Sequence, residues 1–152
     1  YPDDALDRIW RPDNGLYGNP IGTKAMLREE NGTFFVLPSA VMQTAANSSG
    51  PIVVTWPGGS DALYLPVFHF AELQRINGHR NLTIKNNGDT WYHKIYLDYL
   101  NSFSVFSTKP IYAANYSFTV EASSDSNCAP ILNAFEVFKV VRPSGSATQS
   151  QD

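Results

Sequence analysis

The feature of this sequence that most constrains its fold is a succession of short apolar, aromatic and β-branched runs separated by clusters of turn-forming residues. Turn signals such as Asn77-Gly78 and Asn86-Asn87-Gly88-Asp89 stand between the runs. The run Tyr116-Ser117-Phe118-Thr119-Val120 alternates apolar and polar residues, as a strand with one buried face does. No stretch has the apolar spacing of an amphipathic helix, and we expect only a short helical turn near Tyr96–Leu100.

These runs predict an all-β fold of about ten short strands with little helix. The 10 Gly and 10 Pro of the chain suit the many turns of an antiparallel β-sandwich or barrel. Pro66 interrupts the apolar run around it, which predicts a bulge or a bend. We expect strands near Ala25–Arg28, Phe34–Leu37, Val41–Ala45, Ile52–Trp56, Ala62–Leu65, Val67–Leu73, Asn81–Lys85, Ile95–Leu97, Phe103–Phe106, Tyr116–Ala122 and Ala134–Val141.

Length, charge and cysteine content exclude several classes of protein. The 152 residues are the size of one domain. The 11 Lys and Arg against 14 Asp and Glu give a net charge of −3 without any basic run, which argues against nucleic-acid binding. The apolar stretches are far shorter than the roughly 20 residues that cross a bilayer, so we expect no membrane contact by this segment. Cys128, the single cysteine, is either an inert buried thiol or the partner of a cysteine outside this chain.

Four N-x-S/T sequences give the best indication of the compartment. They begin at Asn31, Asn47, Asn81 and Asn115. N-glycosylation requires this motif at the surface of a secreted chain. The composition of the chain would produce roughly two such motifs by chance. We therefore predict a secreted glycoprotein, with chance patterning as the alternative.

Sequence motifs that would make the chain an enzyme are absent. None of the phosphate-binding, nucleophile-elbow or zinc-protease patterns occurs. The three histidines lie in separate segments, and their spacing does not indicate a zinc site. Glu72 with Glu136 or Asp98 would be the acid–base pair of a glycosidase, and structural carboxylates are the alternative. We predict no catalytic residue, no metal and no cofactor.

The aromatic cluster Trp91–Tyr96 is the best candidate for a binding site in the sequence. Aromatic faces stack on the C–H surfaces of sugars, and neighbouring Asp, Asn and Lys side chains can hydrogen-bond hydroxyl groups. The candidate ligand-binding residues are Asp89, Trp91, Tyr92 and His93. The alternative is that these rings pack into the core.

Five ordered blocks of residues resemble the malectin-like domain of plant receptor kinases. The resemblance covers nearly the whole chain. It is closest to the symbiosis-receptor-kinase-like class, in which this domain precedes leucine-rich repeats, a transmembrane helix and a kinase. The blocks are Tyr1–Trp10, Val41-Met42-Gln43-Thr44-Ala45, His69–Gln74, Asn86-Asn87-Gly88 and Pro130–Glu136.

The resemblance implies a malectin-like, jelly-roll-type β-sandwich and assigns the parts of the chain. Residues 1–23 resemble the connector between two tandem lobes, residues 24–142 the second, membrane-proximal lobe, and residues 143–152 the linker toward the repeats. The parent would be a single-pass plasma-membrane receptor with this lobe outside the cell and a Ser/Thr kinase inside. Cys128-Ala129-Pro130 departs from the Leu-Pro-Pro common in the family, so a thiol replaces part of a rigid turn.

The resemblance implies recognition without chemistry, and two functions stay open. The first is binding of a cell-wall-type oligosaccharide, by analogy with the fold of animal malectin. The second is a protein-interaction or spacer role, in which the lobe packs with the first malectin lobe and binds a secreted peptide or a co-receptor. An exposed apolar patch formed by Leu6, Ile9 and Trp10 would favour the second function.

Overall fold

The structure, a computed structural model, describes residues 4–29, 35–59 and 62–141. Strands dominate these residues, and the single helix among them is four residues long. In chain order the elements are β1 Asn19–Gly22, β2 Arg28–Glu29, α1 Ser39–Met42, β3 Thr44–Asn47, β4 Ile52–Pro57, β5 Leu63–Ala71, β6 Arg80–Asn86, β7 Asp89–Leu97, β8 Asn101–Phe106, β9 Asn115–Ala122, β10 Ile131–Leu132 and β11 Ala134–Val140.

The strands form three sheets. The front sheet has the order β4-β9-β6-β7, the back sheet β11-β5-β8-β2, and the end sheet β1-β3-β10. All pairings are antiparallel except that of β2 with β8, which is parallel. This arrangement confirms the predicted all-β, antiparallel sandwich.

The core lies between the front and back sheets. Phe68 on β5 meets Phe118 on β9 with ring centroids 5.3 Å apart. In β9, Tyr116, Phe118 and Val120 are buried and the residues between them are half-buried, as the alternation in the sequence predicts. Burying one such large apolar side chain stabilises the fold by about 1.5–3 kcal/mol.

Strand β5 is buried on both of its faces. Every residue from Pro66 to Ala71 is buried, which explains why this part of the sequence reads as a continuous apolar run. One face of β5 packs on the front sheet. The other face is covered by an N-terminal segment, because Trp10 and Phe35 both contact the ring of His69.

Pro66 causes no register shift in the pairing of β5 with β11, in contrast to the bulge or bend predicted there. It lies opposite Val137 in a regular register, and β5 joins the two predicted runs into one strand. The pairing of β5 with β8 begins only at Val67. Pro66 therefore stands beside the end of that ladder, where its missing N–H costs little.

Several local predictions were wrong. Val41 and Met42 belong to helix α1, where a strand was expected from Val41. Pro38 precedes this helix with φ −55°, and its carbonyl accepts hydrogen bonds from Val41 N and Met42 N. Proline suits the start of a helix, because the missing N–H has no partner there in any case.

The predicted helical turn at Tyr96–Leu100 is also absent, since β7 continues to Leu97. Burial of Ile95 and Leu97 on one face of β7 favours the extended conformation over the helical turn. Of the predicted strand Ala25–Arg28, only Arg28 is in a strand. Residues 35–37 are not in a strand, and Phe34 lies outside the described residues.

The predicted boundary at residue 23 falls just after a strand. Residues 19–22 form β1, which pairs with β3 in the end sheet. The described part of residues 1–23 is thus packed on the lobe. The division into connector, lobe and linker stays a prediction, and residues 143–152 lie outside the described residues.

Candidate functional site

A segment that we call the strap, residues 4–18, runs to the beginning of β1 and is held by an ion-pair network. Arg8 is its centre: Nε donates to Asp4 Oδ2 at 2.9 Å, and Nη1 donates to Glu136 Oε1 at 2.9 Å. Nη2 of Arg8 donates to the carbonyl of Val36. Because Glu136 lies on β11, this guanidinium ties the strap to the back sheet.

Asp4 accepts hydrogen bonds from several donors within the strap. Its carboxylate accepts hydrogen bonds from Trp10 Nε1 at 2.7 Å and from the backbone N–H of Leu6 at 2.8 Å. Burial would raise the pKa of Asp4, but the hydrogen bonds from Arg8, Trp10 and Leu6 hold it well below its usual range. Asp4 is therefore charged at neutral pH and fixes the indole of Trp10.

His69 lies beneath the strap and is fully buried. Its Nε2 is 2.9 Å from Glu136 Oε1, and its Nδ1 is 2.9 Å from Ser104 Oγ. A carboxylate can only accept, so Nε2 carries the proton and Nδ1 accepts from Ser104. Burial lowers the pKa of His69, although the Glu136 carboxylate opposes this shift. We call Asp4, Arg8, His69 and Glu136 the clasp.

The Ser104–His69–Glu136 series has the residue types of a hydrolytic triad, but its surroundings do not suit a substrate. The cavity beside it has a volume of about 30 Å³. Such a space holds one water molecule. Glu136 is also bound to Arg8, so the series acts as a structural connection between the strap and the back sheet.

An aromatic groove opens beside the strap. It has a volume of about 430 Å³, within the range of ligand sites in proteins. Trp10 and Tyr17 from the strap and Phe135 from β11 line it, together with Ala45 and Ala46 of β3. The rings of Tyr17 and Phe135 meet edge to face at 5.8 Å. These aromatic side chains form the walls of the groove.

Two polar side chains of the groove, those of Asn133 and Asp13, are hydrogen-bonded to the backbone. Asn133 Nδ2 donates to the carbonyls of Met42 and Thr44, and its Oδ1 accepts from Ala71 N. Asp13 accepts from the N–H groups of Gly15 and Tyr17. The groove consequently presents mainly apolar and aromatic surface, to which the exposed Arg11 adds one cationic side chain.

The four predicted ligand-binding residues lie on β7, at the edge of the front sheet, and do not converge. Asp89, Tyr92 and His93 are exposed. Trp91 instead points inward, with its ring centroid 5.1 Å from that of Phe118. Trp91 thus follows the core-packing alternative. The pairing of β6 with β7 has register shifts between Leu82 and Ile84 and between Ile84 and Lys85. These shifts interrupt the regular alternation of side chains between the two faces of β7.

Exposed tyrosines accompany this edge. Tyr92 is 42% exposed and Tyr96 is 58% exposed. Both border an open depression of about 260 Å³, which Lys94, Asp98 and Asn101 also line. Tyr96 belongs to the cluster noted in the sequence, but it was not among the predicted site residues. Only the orientation of β7 in the structure shows that the ring of Tyr96 is exposed beside that of Tyr92.

The two carboxylates considered as a glycosidase pair are each bound to a cation. Glu72 lies 3.3 Å from Arg80, and Glu136 is held by Arg8. Glu136 is opposite Val67 on β5. At about 3.3 Å per residue, this places Glu72 and Glu136 roughly 16 Å apart along β5 and on opposite faces of the sheet. That separation does not suit glycosidase chemistry.

The three histidines are also far from a common site. His69 is in the clasp, His93 is exposed on β7, and His79 Nε2 donates to the carbonyl of Asp125. Asp98 is exposed just after β7. In residues 4–29, 35–59 and 62–141, no group of three His, Cys, Asp or Glu side chains is placed to hold a metal ion.

The sequons differ in accessibility. Asn115 is exposed at the start of β9, and Asn47 is half-buried in β3. Asn81 is buried, and its Nδ2 donates to Asp125 at 3.0 Å, so a glycan on this nitrogen has no space in the fold. Asn31 lies outside the described residues. Cys128 is a half-buried free thiol.

Several residues of the strap site were missed in the sequence. Trp10 was expected to dock, but Tyr17, Phe135 and the clasp were not identified. The spacing of Asp4 and Arg8 is a signal for an i, i+4 ion pair. The bond between Arg8 and Glu136 spans 128 residues, and only the topology reveals it.

A β-sandwich with Glu72 and Glu136 held in ion pairs and with an aromatic groove has the architecture of a binding module. The family model of the malectin-like domain matches residues 1–140. The chain belongs to the malectin-like domain family, and this segment is a non-catalytic module.

Relatives in Arabidopsis thaliana are receptor-like kinases. The chain is 28% identical over 160 residues to a probable leucine-rich repeat receptor-like protein kinase, covering 100% of this chain and 18% of the relative. It is 31% identical over 160 residues to a probable LRR receptor-like serine/threonine-protein kinase, again covering 100% and 18%. The chain thus spans about a fifth of the length of the curated relatives it matches.

Solved structures share the fold. The ANXUR2 extracellular domain from Arabidopsis thaliana superimposes with a TM-score of 0.69 at 15% identity, over 84% of this chain and 40% of that chain. A structure of the plant peptide RALF23 in complex with FER and LLG2 gives a TM-score of 0.67 at 18% identity, over 81% and 39%. In the part of the chain that the structure describes, the one helix is four residues long and cannot span a membrane.

Proposed function

We propose that this chain is an extracellular recognition lobe of a plant receptor-like kinase and that it binds a protein or peptide partner at the aromatic groove. The observation that carries the proposal is the groove itself, whose rings from the strap and β11 lie beside exposed apolar side chains. Leu6 is 59% exposed and Ile9 is 84% exposed, while Trp10 is half-buried. Exposed apolar side chains beside a formed groove are typical of an interaction surface.

The chemistry of the groove favours a peptide over a sugar. A sugar presents many hydroxyl groups, and a site for it needs free hydrogen-bonding side chains around the stacking rings. Here Asn133 and Asp13 are engaged with the backbone. Apolar or aromatic side chains of a partner can therefore bind without leaving polar groups unpaired.

The relatives supply the context for this proposal. The whole receptor would be a single-pass plasma-membrane protein with the kinase in a separate part of the chain. Leu6 and Ile9 would pack on a first malectin lobe, as expected for a second, membrane-proximal lobe. The complex of FER with a peptide and LLG2 supports a secreted peptide and a co-receptor as the partners of this chain.

A nuclear magnetic resonance titration tests the proposal. Blocked single residues, namely the N-acetyl amides of Trp, Phe and Leu, serve as probes of the groove, and cellohexaose serves as the sugar probe. We expect shifts at Ala45, Ala46 and Phe135 with the amino-acid probes. A Phe135→Ala variant should abolish them, and Tyr96→Ala, on the distant β7 edge, should not. Shifts confined to β7, or no shifts at millimolar probe, contradict the proposal.

A second candidate function is binding of a cell-wall-type oligosaccharide at the β7 edge. The specific observation is the pair of exposed rings of Tyr92 and Tyr96 beside Asp98 and Asn101. Of the residues proposed from the sequence, Asp89, Tyr92 and His93 stay candidates, whereas Trp91 faces the core. Calorimetric titration with cello- and malto-oligosaccharides checks this function, and binding unchanged by Tyr92→Ala and Tyr96→Ala counts against it.

A further inference from the structure

We propose that the strap is a proton-sensitive closure of the aromatic groove, in which protonation of His69 releases Arg8 and Trp10 from the back sheet. The proposal adds regulation to the groove of the proposed function. Its test measures closure of the strap rather than binding, so the two proposals can fail separately.

A single oxygen atom couples His69 to the strap. Glu136 Oε1 accepts from Arg8 Nη1 at 2.9 Å and from His69 Nε2 at 2.9 Å. The Arg8 donor comes from the strap and the His69 donor from β5. A positive charge on His69 would therefore stand beside the Arg8 guanidinium and compete for the same acceptor.

The effect of the two groups on each other is reciprocal. The charge of Arg8 opposes protonation of His69, as does the burial that the strap helps to impose. By linkage, if Arg8 bound at Glu136 lowers the proton affinity of His69 by some factor, protonation of His69 weakens the binding of Arg8 there by that factor. Ser104 does not oppose protonation, because its hydroxyl donates to neutral Nδ1 and can accept from a protonated Nδ1 after its hydrogen rotates.

Charged groups that face His69 come from each element packed on it. Arg8 and Asp4 approach from the strap and Glu136 from β11, while Ser104 on β8 and the ring of Phe35 are uncharged. The hydrogen bonds on Asp4 keep its carboxyl ionised throughout mildly acidic pH. His69 is therefore the group of the clasp that can gain a charge on acidification, and its burial moves this change to a lower pH than for an exposed histidine.

Closure of the strap also determines the shape of the groove. Trp10 is a wall of the groove, and three contacts hold it: the bond of Nε1 to Asp4, the Arg8 guanidinium 5.1 Å from its ring centre, and the edge contact with His69 at 6.3 Å. All three contacts involve the clasp. Opening of the clasp removes Trp10 from the groove, while the β-sandwich itself is preserved.

The direction of the pH dependence follows from these states. In the open strap His69 is relieved of part of its burial and of the Arg8 charge, so its pKa is higher there than in the closed strap. Protons therefore favour the open form. Between the two pKa values the closing constant decreases by up to about tenfold per pH unit as the pH falls.

The experiment is a pH titration from 7.5 to 5.0 followed by nuclear magnetic resonance. The reporters are the Trp10 indole ring signals, since the edge contact of this ring with His69 crosses from the strap to β5, and the His69 imidazole. The backbone N–H of Val120, in the middle of β9, is the internal reference for global folding. We expect the Trp10 ring signals to move toward the positions of a free indole ring with the same midpoint as His69, while Val120 is unchanged.

Two variants complete the experiment. His69→Gln can hydrogen-bond both Glu136 and Ser104 but cannot be protonated, so its Trp10 signal should not respond to pH. It retains His79 and His93, which controls for the exposed histidines. Glu136→Gln should loosen Trp10 at every pH.

The proposal is overturned by any of three results. The Trp10 signal could stay fixed while His69 titrates, or it could move equally in the wild type and in His69→Gln. Alternatively, Trp10 and Val120 could change together, which would mean that His69 gains a proton only when the whole domain unfolds.

Discussion

Close approach of the backbone makes Gly58 the glycine least able to accept a side chain. A Cβ atom there would lie 2.0 Å from the carbonyl oxygen of Ala113 and 2.5 Å from that of Ala114. The N–H of Gly58 also donates to the carbonyl of Ala114, so the two segments cannot separate without losing this bond. The glycine is therefore required by the junction after β4.

We expect Gly58→Ala to lower the free energy of unfolding by at least about 1–3 kcal/mol, since the methyl group forces the backbone to shift. Gly50→Ala is the matched control, because nothing lies within 4 Å of its added Cβ. Its effect should stay within about 0.5 kcal/mol. Urea denaturation followed by tryptophan fluorescence measures both, and equal effects would refute the steric explanation.

Glycosylation is a second prediction at the level of single residues. Asn115 is exposed, whereas Asn81 is buried and hydrogen-bonded to Asp125. Expression in a secretory plant or insect system should add a glycan to Asn115 and leave Asn81 unmodified. The measurement is the gel shift on deglycosylation, which should be smaller than that of the wild type in Asn115→Gln and unchanged in Asn81→Gln.

Among the elements, β4 shows how strand alternation distributes stability. Val54 is 1% exposed in the core, and its neighbour Val53 is 46% exposed. We expect Val54→Ala to cost about 1.5–3 kcal/mol of unfolding free energy and Val53→Ala less than about 1 kcal/mol. Chemical denaturation of both variants measures the difference. A smaller loss for Val54→Ala than for Val53→Ala would contradict the described orientation of β4.

The strands were predictable because their signals are local. The alternation of Tyr116, Phe118 and Val120 and the turn at Asn87-Gly88 require no knowledge of distant residues. The error at Val41 has a local cause, since one proline before a short apolar run favours a helical turn as readily as β-branching favours a strand. The same apolar residues can serve either structure, and tertiary packing decides between them.

The groove and the clasp were not predictable in this way. Phe135 was noted in the sequence as part of an apolar strand, and its partner Tyr17 lies in a turn-rich segment more than a hundred residues earlier. Glu136 was considered as a catalytic carboxylate, because no local pattern shows that Arg8 binds it. Trp91, which has the sequence context of a sugar-stacking ring, faces the core because of the register of β7 with β6.

For the whole molecule, the clasp predicts how stability depends on pH. In the folded state the pKa of His69 is below its ordinary value of about 6.5, so the unfolded chain binds more protons below that pH. Stability is therefore complete above about pH 6.5 and is lost as the pH falls toward the lowered pKa. The slope is at most about 1.4 kcal/mol per pH unit.

Urea denaturation at pH 7.5, 6.5 and 5.5 measures this dependence. The midpoint of the wild type should decrease over this range, and that of His69→Gln should change less. A steeper decrease in His69→Gln would show that other groups dominate. The lowered pKa of Asp4 should add a further loss below about pH 4, where the unfolded carboxyl gains its proton.

The long span between Arg8 and Glu136 has a consequence for biosynthesis. The ribosome delivers the strap first and β11 last, yet β5 is shielded only when both have arrived on it. During translation the apolar centre of β5 must therefore stay unprotected until β11 has been synthesised and has paired with it. Contacts between such distant parts of a chain slow folding and lengthen the exposure of apolar strands. The lobe should consequently depend on chaperones during synthesis far more than its modest size suggests.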